Sequence, residues 1–338
     1  MRVRVGRVVA AGGSVYVLFL LGIVLWRATH LGGLWWVRMA SDFLPILFLP
    51  LLVLAPLVLI LSRSRPARLL LCLPVILFVL LYGRLFLPKP AAASSDGDQT
   101  FSVMSYNVTR GDPGVDTILS IIESENPDVV ALQEVSPDVA EALSSLAPVY
   151  GYMALYPTPD GYAGCALLSR YAIISDEAFP LVEGMHLYQR VVLDLQGQRV
   201  HLLNVHFQPP RLPVRRGGSR VLIPAGYDTT TQDHELERLL GELDALEGPA
   251  VVVGDFNITD QSPGYGQLTR RLGDSYRETG WGFGHTFPDG EARSIPTPFP
   301  FLRIDYIFHS RDITANWAYV GDRGGPDHRF LVAGLSLQ

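Results

Sequence analysis

VVVGDFNITD, residues 251–260, decides how the chain is read. Three consecutive β-branched residues, Val251 to Val253, closed by Gly254 predict an interior strand buried on both faces. Its exit delivers an acid, an aromatic ring and an amide, Asp255, Phe256 and Asn257, from a rigid support. Immediately upstream, TQDHELERLLGELDAL places Leu236, Leu239, Leu240, Leu243 and Leu246 at helical spacing, with Gly248 past the end. Downstream, RIDYIFHS, NWAYVG and FLVAGLSL read as further strands.

The same pattern extends back to residue 100. FSVMSYN alternates as a strand, and VDTILSIIESEN carries Val115, Ile118, Ile121 and Ile122 on one face before Asn126-Pro127 stops the helix. DVVALQE is a strand. SPDVAEALSSLA opens with Ser136 at a cap and Pro137 at the first helical position. From residue 151 short strands follow one another, GYMALYP, AGCALLS, AIISDEAF, QRVVLDL and RVHLLNVHF, with Gly197-Gln198 between the last two predicting a tight hairpin. Many hairpins and few helices predict an α/β fold of two largely antiparallel sheets covered by helices, not a repeated βαβ unit.

The front of the chain differs. Residues 8–26, 43–61 and 69–87 are apolar stretches of 19 residues, each long enough to cross a hydrocarbon core of about 30 Å. The expected organisation is a membrane domain over 1–87, a small, polar, proline-punctuated linker over 88–99, and a globular domain over 100–338. Arg2, Arg4 and Arg7 precede the first span and Arg63, Arg65 and Arg68 fill the second turn. By the positive-inside rule both are cytoplasmic, so the chain is expected to be multi-pass in the cytoplasmic membrane, with the globular domain outside.

Charge divides at the same place. Residues 1–90 hold 10 of the 27 basic residues and one of the 33 acids, leaving 17 against 32, net −15, in 91–338. An acidic domain is a poor host for a polyanion, so nucleic acid is the disfavoured partner and membrane lipid the favoured one. Two cysteines, Cys72 in a span and Cys165 in a strand, make no disulfide framework.

Several strands end in polar residues: Asn107 in SYN, Glu134 in LQE, His206 in NVH, Asp255 and Asn257 in GDFN, Asp305 in RIDYIF, and Asp327-His328 in PDHR. Taken singly, each suits a cap or a turn. Together LQE, GDFN, RIDYIF and DH, in this order and each behind a strand, resemble the endonuclease/exonuclease/phosphatase superfamily of DNase I-like nucleases, inositol phosphatases and sphingomyelinases. That resemblance covers residues 100–338. It implies a four-layer α/β sandwich and hydrolysis of a phosphate ester or anhydride with Mg²⁺, Mn²⁺ being the alternative. Three spans before an outward domain resemble the membrane phosphatases linked to teicoplanin resistance.

The resemblance also implies roles. Glu134 with Asn107 holds the ion, and Asp327 completes a second metal position. Asp255 aligns or deprotonates water, and Asn257 donates a hydrogen bond to developing charge, which an amide can do and a carboxylate cannot. Asp305 orients His328 and favours its protonated form, His328 acting as a base or as a phosphate clamp, so that either Asp255 or His328 handles the water proton. His206 binds phosphate or protonates the leaving oxygen. Pro326 stands where the family usually has Ser, and Tyr162 in PTPDGYAG lies in the turn before the LLSR strand.

One insertion stands apart. PPRLPVRRGGSRVLIPAGYD, residues 209–228, gathers Arg211, Arg215, Arg216 and Arg220 among prolines and aliphatic residues in an acidic domain. It reads as a solvated loop or as a lid meeting anionic headgroups. The leading expectation is a membrane-anchored phosphohydrolase of a lipid-linked phosphate or pyrophosphate. The alternatives are an extracytoplasmic nuclease or sphingomyelinase-like phosphodiesterase, and an inactive membrane scaffold.

Overall fold

The computed structural model describes residues 2–29, 34–89, 99–217, 221–292, 295–322 and 327–338. Most of the expected linker, Arg220 and Pro326 lie outside the described residues, as do the side chains of Arg2 and Arg216. The chain separates into two units. Met1–Leu87 form one together with two later segments, Arg211–Asp228 and Gln261–Pro263; Pro88–Pro210, Thr229–Asp260 and Gly264–Gln338 form the other.

The first unit contains α1 (Arg2–Thr29), α2 (Trp35–Asp42), α3 (Leu51–Leu61), α4 (Arg65–Leu70) and α5 (Cys72–Tyr82). Arg4–Arg27 and Arg65–Phe86 are each long and apolar enough to cross a membrane. The middle span expected over 43–61 corresponds to the stretch Ile46–Leu61, a short helical turn followed by α3, which meets the preceding α2 at 83°. Pro45 and Pro50, which donate no backbone hydrogen bond, stand at the starts of the short helical turn and of α3. Two glycines let α1 and α3 approach closely. A Cβ on Gly6 would lie 2.3 Å from the Leu61 carbonyl oxygen, and one on Gly13 3.1 Å from Val58. Edge-to-face contacts of Phe48, Phe78 and Tyr82, with centroids 5.3–6.1 Å apart, join the middle stretch to α5.

The second unit begins with β1 (Gln99–Asn107), α6 (Val115–Glu125), β2 (Val129–Gln133), α7 (Pro137–Leu143), β3 (Tyr152–Tyr156) and β4 (Cys165–Ser169). Next come β5 (Ala172–Pro180), β6 (Leu187–Leu195) and β7 (Gln198–His206). The insertion supplies β8 (Val214–Gly217) and β9 (Val221–Pro224), a hairpin of the first unit. Then follow α8 (Thr230–Ala245), β10 (Ala250–Asp255), α9 (Pro263–Leu268), β11 (Gly273–Asp274) and α10 (Ser275–Thr279). A small ribbon, β12 (Glu291–Ala292) with β13 (Ile295–Pro296), precedes β14 (Asp305–His309), β15 (Ile313–Val320) and β16 (Leu331–Leu337).

Two six-stranded sheets result, in the orders β15-β16-β1-β2-β4-β3 and β11-β14-β10-β7-β6-β5. Each is antiparallel except at one central pair, β1 with β2 and β10 with β7. Ser136 Oγ caps α7 through the Val139 N–H as read, and the β6–β7 hairpin turns one residue earlier than expected, at Gln196 and Gly197, both at positive φ.

The valine run shows why the layers number four. Val251 and Val253 join Val103, Val129, Val191 and Leu335 between the sheets, whereas Val252 turns outward to Leu236 and Leu239 of α8. On the far side, Ile118, Ile122 and Leu143 of α6 and α7 cover Val130 and Leu132. A strand covered on both faces has no use for alternation. The result is a helix, sheet, sheet, helix sandwich.

Candidate active site

The two parallel pairs set the site. Register aligns Asn107 at the end of β1 with Gln133, so Glu134 emerges beside it, and aligns His206 with Asp255, itself opposite Asp305. Polar groups at the ends of adjacent strands therefore converge. Beneath them a buried amide network joins the sheets: Gln133 Nε2 donates to Asn204 Oδ1 at 2.7 Å, and Asn204 Nδ2 to the Leu132 carbonyl at 3.0 Å and Gln189 Oε1 at 3.2 Å. Such a network ties the two sheets together below the reacting groups.

Asp255 is the hub. Its Oδ2 accepts from Asn107 Nδ2 and Asn257 Nδ2, both at 3.2 Å, and its Oδ1 from the Asn257 N–H at 2.8 Å. The Nε2 atoms of His206 and His328 each stand 3.7 Å from Oδ2. Asn107 Nδ2 also donates to Glu134 Oε1 at 3.1 Å, while its Oδ1 accepts from the Thr109 N–H at 3.0 Å. In this arrangement Asn107 ties the two carboxylates together, and its oxygen is engaged by the backbone. His328 Nδ1 lies 3.1 Å from Asp305 Oδ2, and its ring 4.8 Å from that of Phe287.

Asp327 is placed differently. Its Oδ1 accepts from the Thr109 hydroxyl at 2.6 Å, one step removed from the hub. Asn257 sits in the left-handed region with φ 51°, held by Gln232 Nε2 donating to its carbonyl at 2.6 Å; its own Nδ2 donates to the Phe207 carbonyl at 2.9 Å. Glu134 is also left-handed, at φ 58°. For a residue without the local hydrogen bonding of an amide that conformation is costly, and costly conformations gather where a side chain must be aimed.

Burial governs the electrostatics. It raises the pKa of Glu134, against the lowering effect of the Asn107 hydrogen bond. Burial, then the neighbouring Asp305, pushes Asp255 up to about 8. For His328 burial acts downward but is outweighed by Asp305 and Asp255, leaving it at about 10, an imidazolium at neutral pH. His206 is held neutral by burial, then by His186 and His328.

Sequence reading missed two neighbours. His186, just before β6, stacks on His206 with centroids 3.8 Å apart, and no local pattern marks it. Arg110 places Nε 4.0 Å from Glu134 Oε2 and its guanidinium 4.4 Å above the half-exposed Tyr162 ring. The run Arg110-Gly111-Asp112, three residues after a strand-end Asn, was the available signal.

The donor set suits a hard divalent cation. Three acids, Glu134, Asp255 and Asp305, meet one imidazolium, and Asp305 Oδ1 is buried with no donor. Ligand atoms of Asp255, Asp305 and His328 lie within 4.8 Å of one another. A cation would offset the crowded charge and use the spare lone pairs.

Buried carboxylates, amides and an oriented imidazolium at the ends of a two-sheet sandwich define a metal-dependent phosphoester hydrolase. The chain belongs to the endonuclease/exonuclease/phosphatase family, whose profile matches residues 100–333. Solved structures share the fold. A member of the family from Bacteroides vulgatus is 20% identical, covering 71% of this chain and 99% of its own, with a TM-score of 0.56. D. rerio TDP2, solved with a single-strand DNA product, is 17% identical over 70% of this chain and 99% of its own, at 0.55. A family member from Beutenbergia cavernae is 21% identical over 71% and 72%, at 0.51. A search of curated proteins finds no match.

Proposed function

We propose that this chain is a membrane-anchored, Mg²⁺-dependent phosphohydrolase cleaving a lipid-linked phosphate or pyrophosphate outside the cytoplasmic membrane. The observation that carries the reading is the grouping of the basic insertion. Arg211–Asp228 interrupts the catalytic sequence yet belongs to the unit of apolar helices. There the Tyr227 hydroxyl donates to the buried Asp42 carboxylate at 2.5 Å. Gln261 does likewise, accepting from Arg27 at 2.8 Å and from the Tyr82 hydroxyl at 3.4 Å. Both segments leave the catalytic sequence close behind site residues: Arg211 follows His206 by five positions and Gln261 follows Asn257 by four. A substrate confined to the same bilayer as its enzyme is presented at high effective concentration.

In this reading Glu134 and Asp255, tied by Asn107, would hold the ion, with Asp327 beside them through Thr109. When bound, Mg²⁺ supplies charge neutralisation at the phosphoryl oxygens. Asp255 aligns the attacking water and accepts its proton. His328, kept protonated by Asp305, clamps a phosphoryl oxygen, and Asn257 Nδ2 exchanges the Phe207 carbonyl for developing negative charge. His206, being neutral, offers one N–H and no net charge, which suits phosphate binding rather than protonation of the leaving oxygen.

The test is turnover by the full-length protein with Mg²⁺ on polyprenyl pyrophosphate, sphingomyelin and DNA in parallel. Glu134→Gln and His328→Ala should each lose roughly 10²-fold or more on the preferred substrate. Full activity of both variants breaks the site assignment. Preference for DNA replaces the lipid reading with the nuclease one, and inactivity on all three, with family phosphoesters included, favours the scaffold.

A further inference from the structure

A cavity of about 1120 Å³ opens between α1, the end of α3 and α4. Ala11 and Ser14 of α1 are too small to fill it, while Ile60 and Leu70 give it an aliphatic wall. Arg7 and Arg63 also line it. The α1–α3 contact at Gly6 and Leu61 fixes which end of the bundle this is: the end of the Arg63–Arg68 turn, expected to be cytoplasmic.

Among the described residues no acid lines it. The sole acid among residues 1–90 is Asp42, which lies in another helix and is hydrogen-bonded to Tyr227. Arg68 shows how an arginine of this turn is used structurally: Nε and Nη2 donate to the Ser62 carbonyl at 3.0 and 2.7 Å, and Nη2 to that of Leu59 at 3.0 Å, closing the exposed end of α3. Arg7 and Arg63 make no such bond among the described residues. They remain forked donors beside an apolar wall, the combination that matches a phosphate carrying hydrocarbon chains. The space exceeds the roughly 300 Å³ that a small ligand needs, enough for a headgroup with the first carbons of its chains.

We infer that this cavity binds the phosphate headgroup of an anionic phospholipid of the cytoplasmic leaflet, with its acyl chains along the Ile60 and Leu70 wall. The site belongs to the helical unit rather than to the catalytic one, and its occupant is a structural or regulatory lipid, not the substrate. Basic pockets between membrane spans on the cytoplasmic side recognise such headgroups, and a zwitterionic lipid brings a cation of its own toward the arginines. The inference rests on the membrane reading of the helices given above.

The experiment uses the full-length protein in detergent with equal amounts of phosphatidylglycerol and phosphatidylcholine, reading bound lipid by native mass spectrometry. The wild type should retain phosphatidylglycerol on the order of tenfold over phosphatidylcholine, and Arg7→Gln with Arg63→Gln should bring the two to parity. Arg4→Gln with Arg65→Gln removes the same charge from the same end without touching the cavity, and should keep the preference. Ala11→Leu fills the cavity with charge intact and should lower phosphatidylglycerol retention even if the double arginine variant does not fold. Equal retention of both lipids by the wild type, equal losses in the two double variants, or displacement of the lipid by inorganic phosphate would each overturn the proposal. A chain that does not sediment with membranes sinks the membrane reading and this inference together; an embedded chain lacking the preference sinks this inference alone.

Discussion

Tyr227→Phe removes one oxygen and keeps the ring, so it isolates one bond between the insertion and the helices of its unit. The bond is short, 2.5 Å, and its acceptor Asp42 is only 7% exposed. A hydrogen bond to a charged group contributes about 1.5–3 kcal/mol, and the loss leaves a buried carboxylate short of a donor. Taking about 2 kcal/mol, the opening equilibrium of the hairpin should rise roughly 30-fold. The hairpin contains its own cleavage sites, since trypsin cuts after Arg211 and Arg215. Under native conditions, where cleavage follows the population of the opened form, the initial rate at those bonds should rise by about the same factor. Cleavage in the catalytic unit should stay unchanged. With Asp42→Asn already present, the further effect of Tyr227→Phe should shrink, because the two residues share one interaction. A Tyr227→Phe protein cleaved at the wild-type rate would refute the docking of the insertion and remove the main support for a lipid substrate.

Two further outcomes concern the catalytic unit. Gly254→Ala puts a Cβ 1.9 Å from the Val205 carbonyl oxygen at φ 134°, so it should destabilise the unit by about 3 kcal/mol or more; an unchanged thermal midpoint would show that β7 and β10 do not need the glycine. His309 faces Glu278 Oε2 at 3.0 Å and the Ser310 carbonyl at 2.9 Å, one acceptor for each ring nitrogen. Burial acts to lower its pKa, but these partners raise it above the ordinary histidine value. Its contribution to stability is therefore fully present below the unfolded pKa of about 6.5 and is lost as pH rises through the higher folded value. Glu278→Gln should cost thermal midpoint near pH 6 and progressively less toward pH 9, and a pH-independent cost would contradict the pairing.

The particulars show where sequence sufficed. Val251 to Val253 announced a doubly covered strand because continuous β-branched residues satisfy burial on both faces and nothing else. The leucines of α8, the Ser136 cap and a β6–β7 hairpin at Gly197 were equally legible, each being a local rule expressed within a few residues. Asn107, Glu134, His206, Asp255, Asn257, Asp305 and His328 could be singled out as strand-end polar groups of one family pattern. Their partners could not. That Asn107 bridges Glu134 and Asp255, that His186 stacks on His206, and that Arg110 covers Tyr162 depend on contacts between segments far apart in the chain.

The membrane helices divide in the same way. Composition alone declared three apolar stretches, because crossing a bilayer is a demand on length and hydropathy. How the middle stretch meets the helix before it was not legible: at the break between Asp42 and Ile46 the chain turns by 83°. The basic insertion is the clearest division. Sequence determined its charge, its prolines and its place between β7 and α8. Only the tertiary structure assigned it to the helical unit, through contacts such as that of Tyr227 with Asp42, 185 positions apart, and no local pattern encodes a partner at that separation.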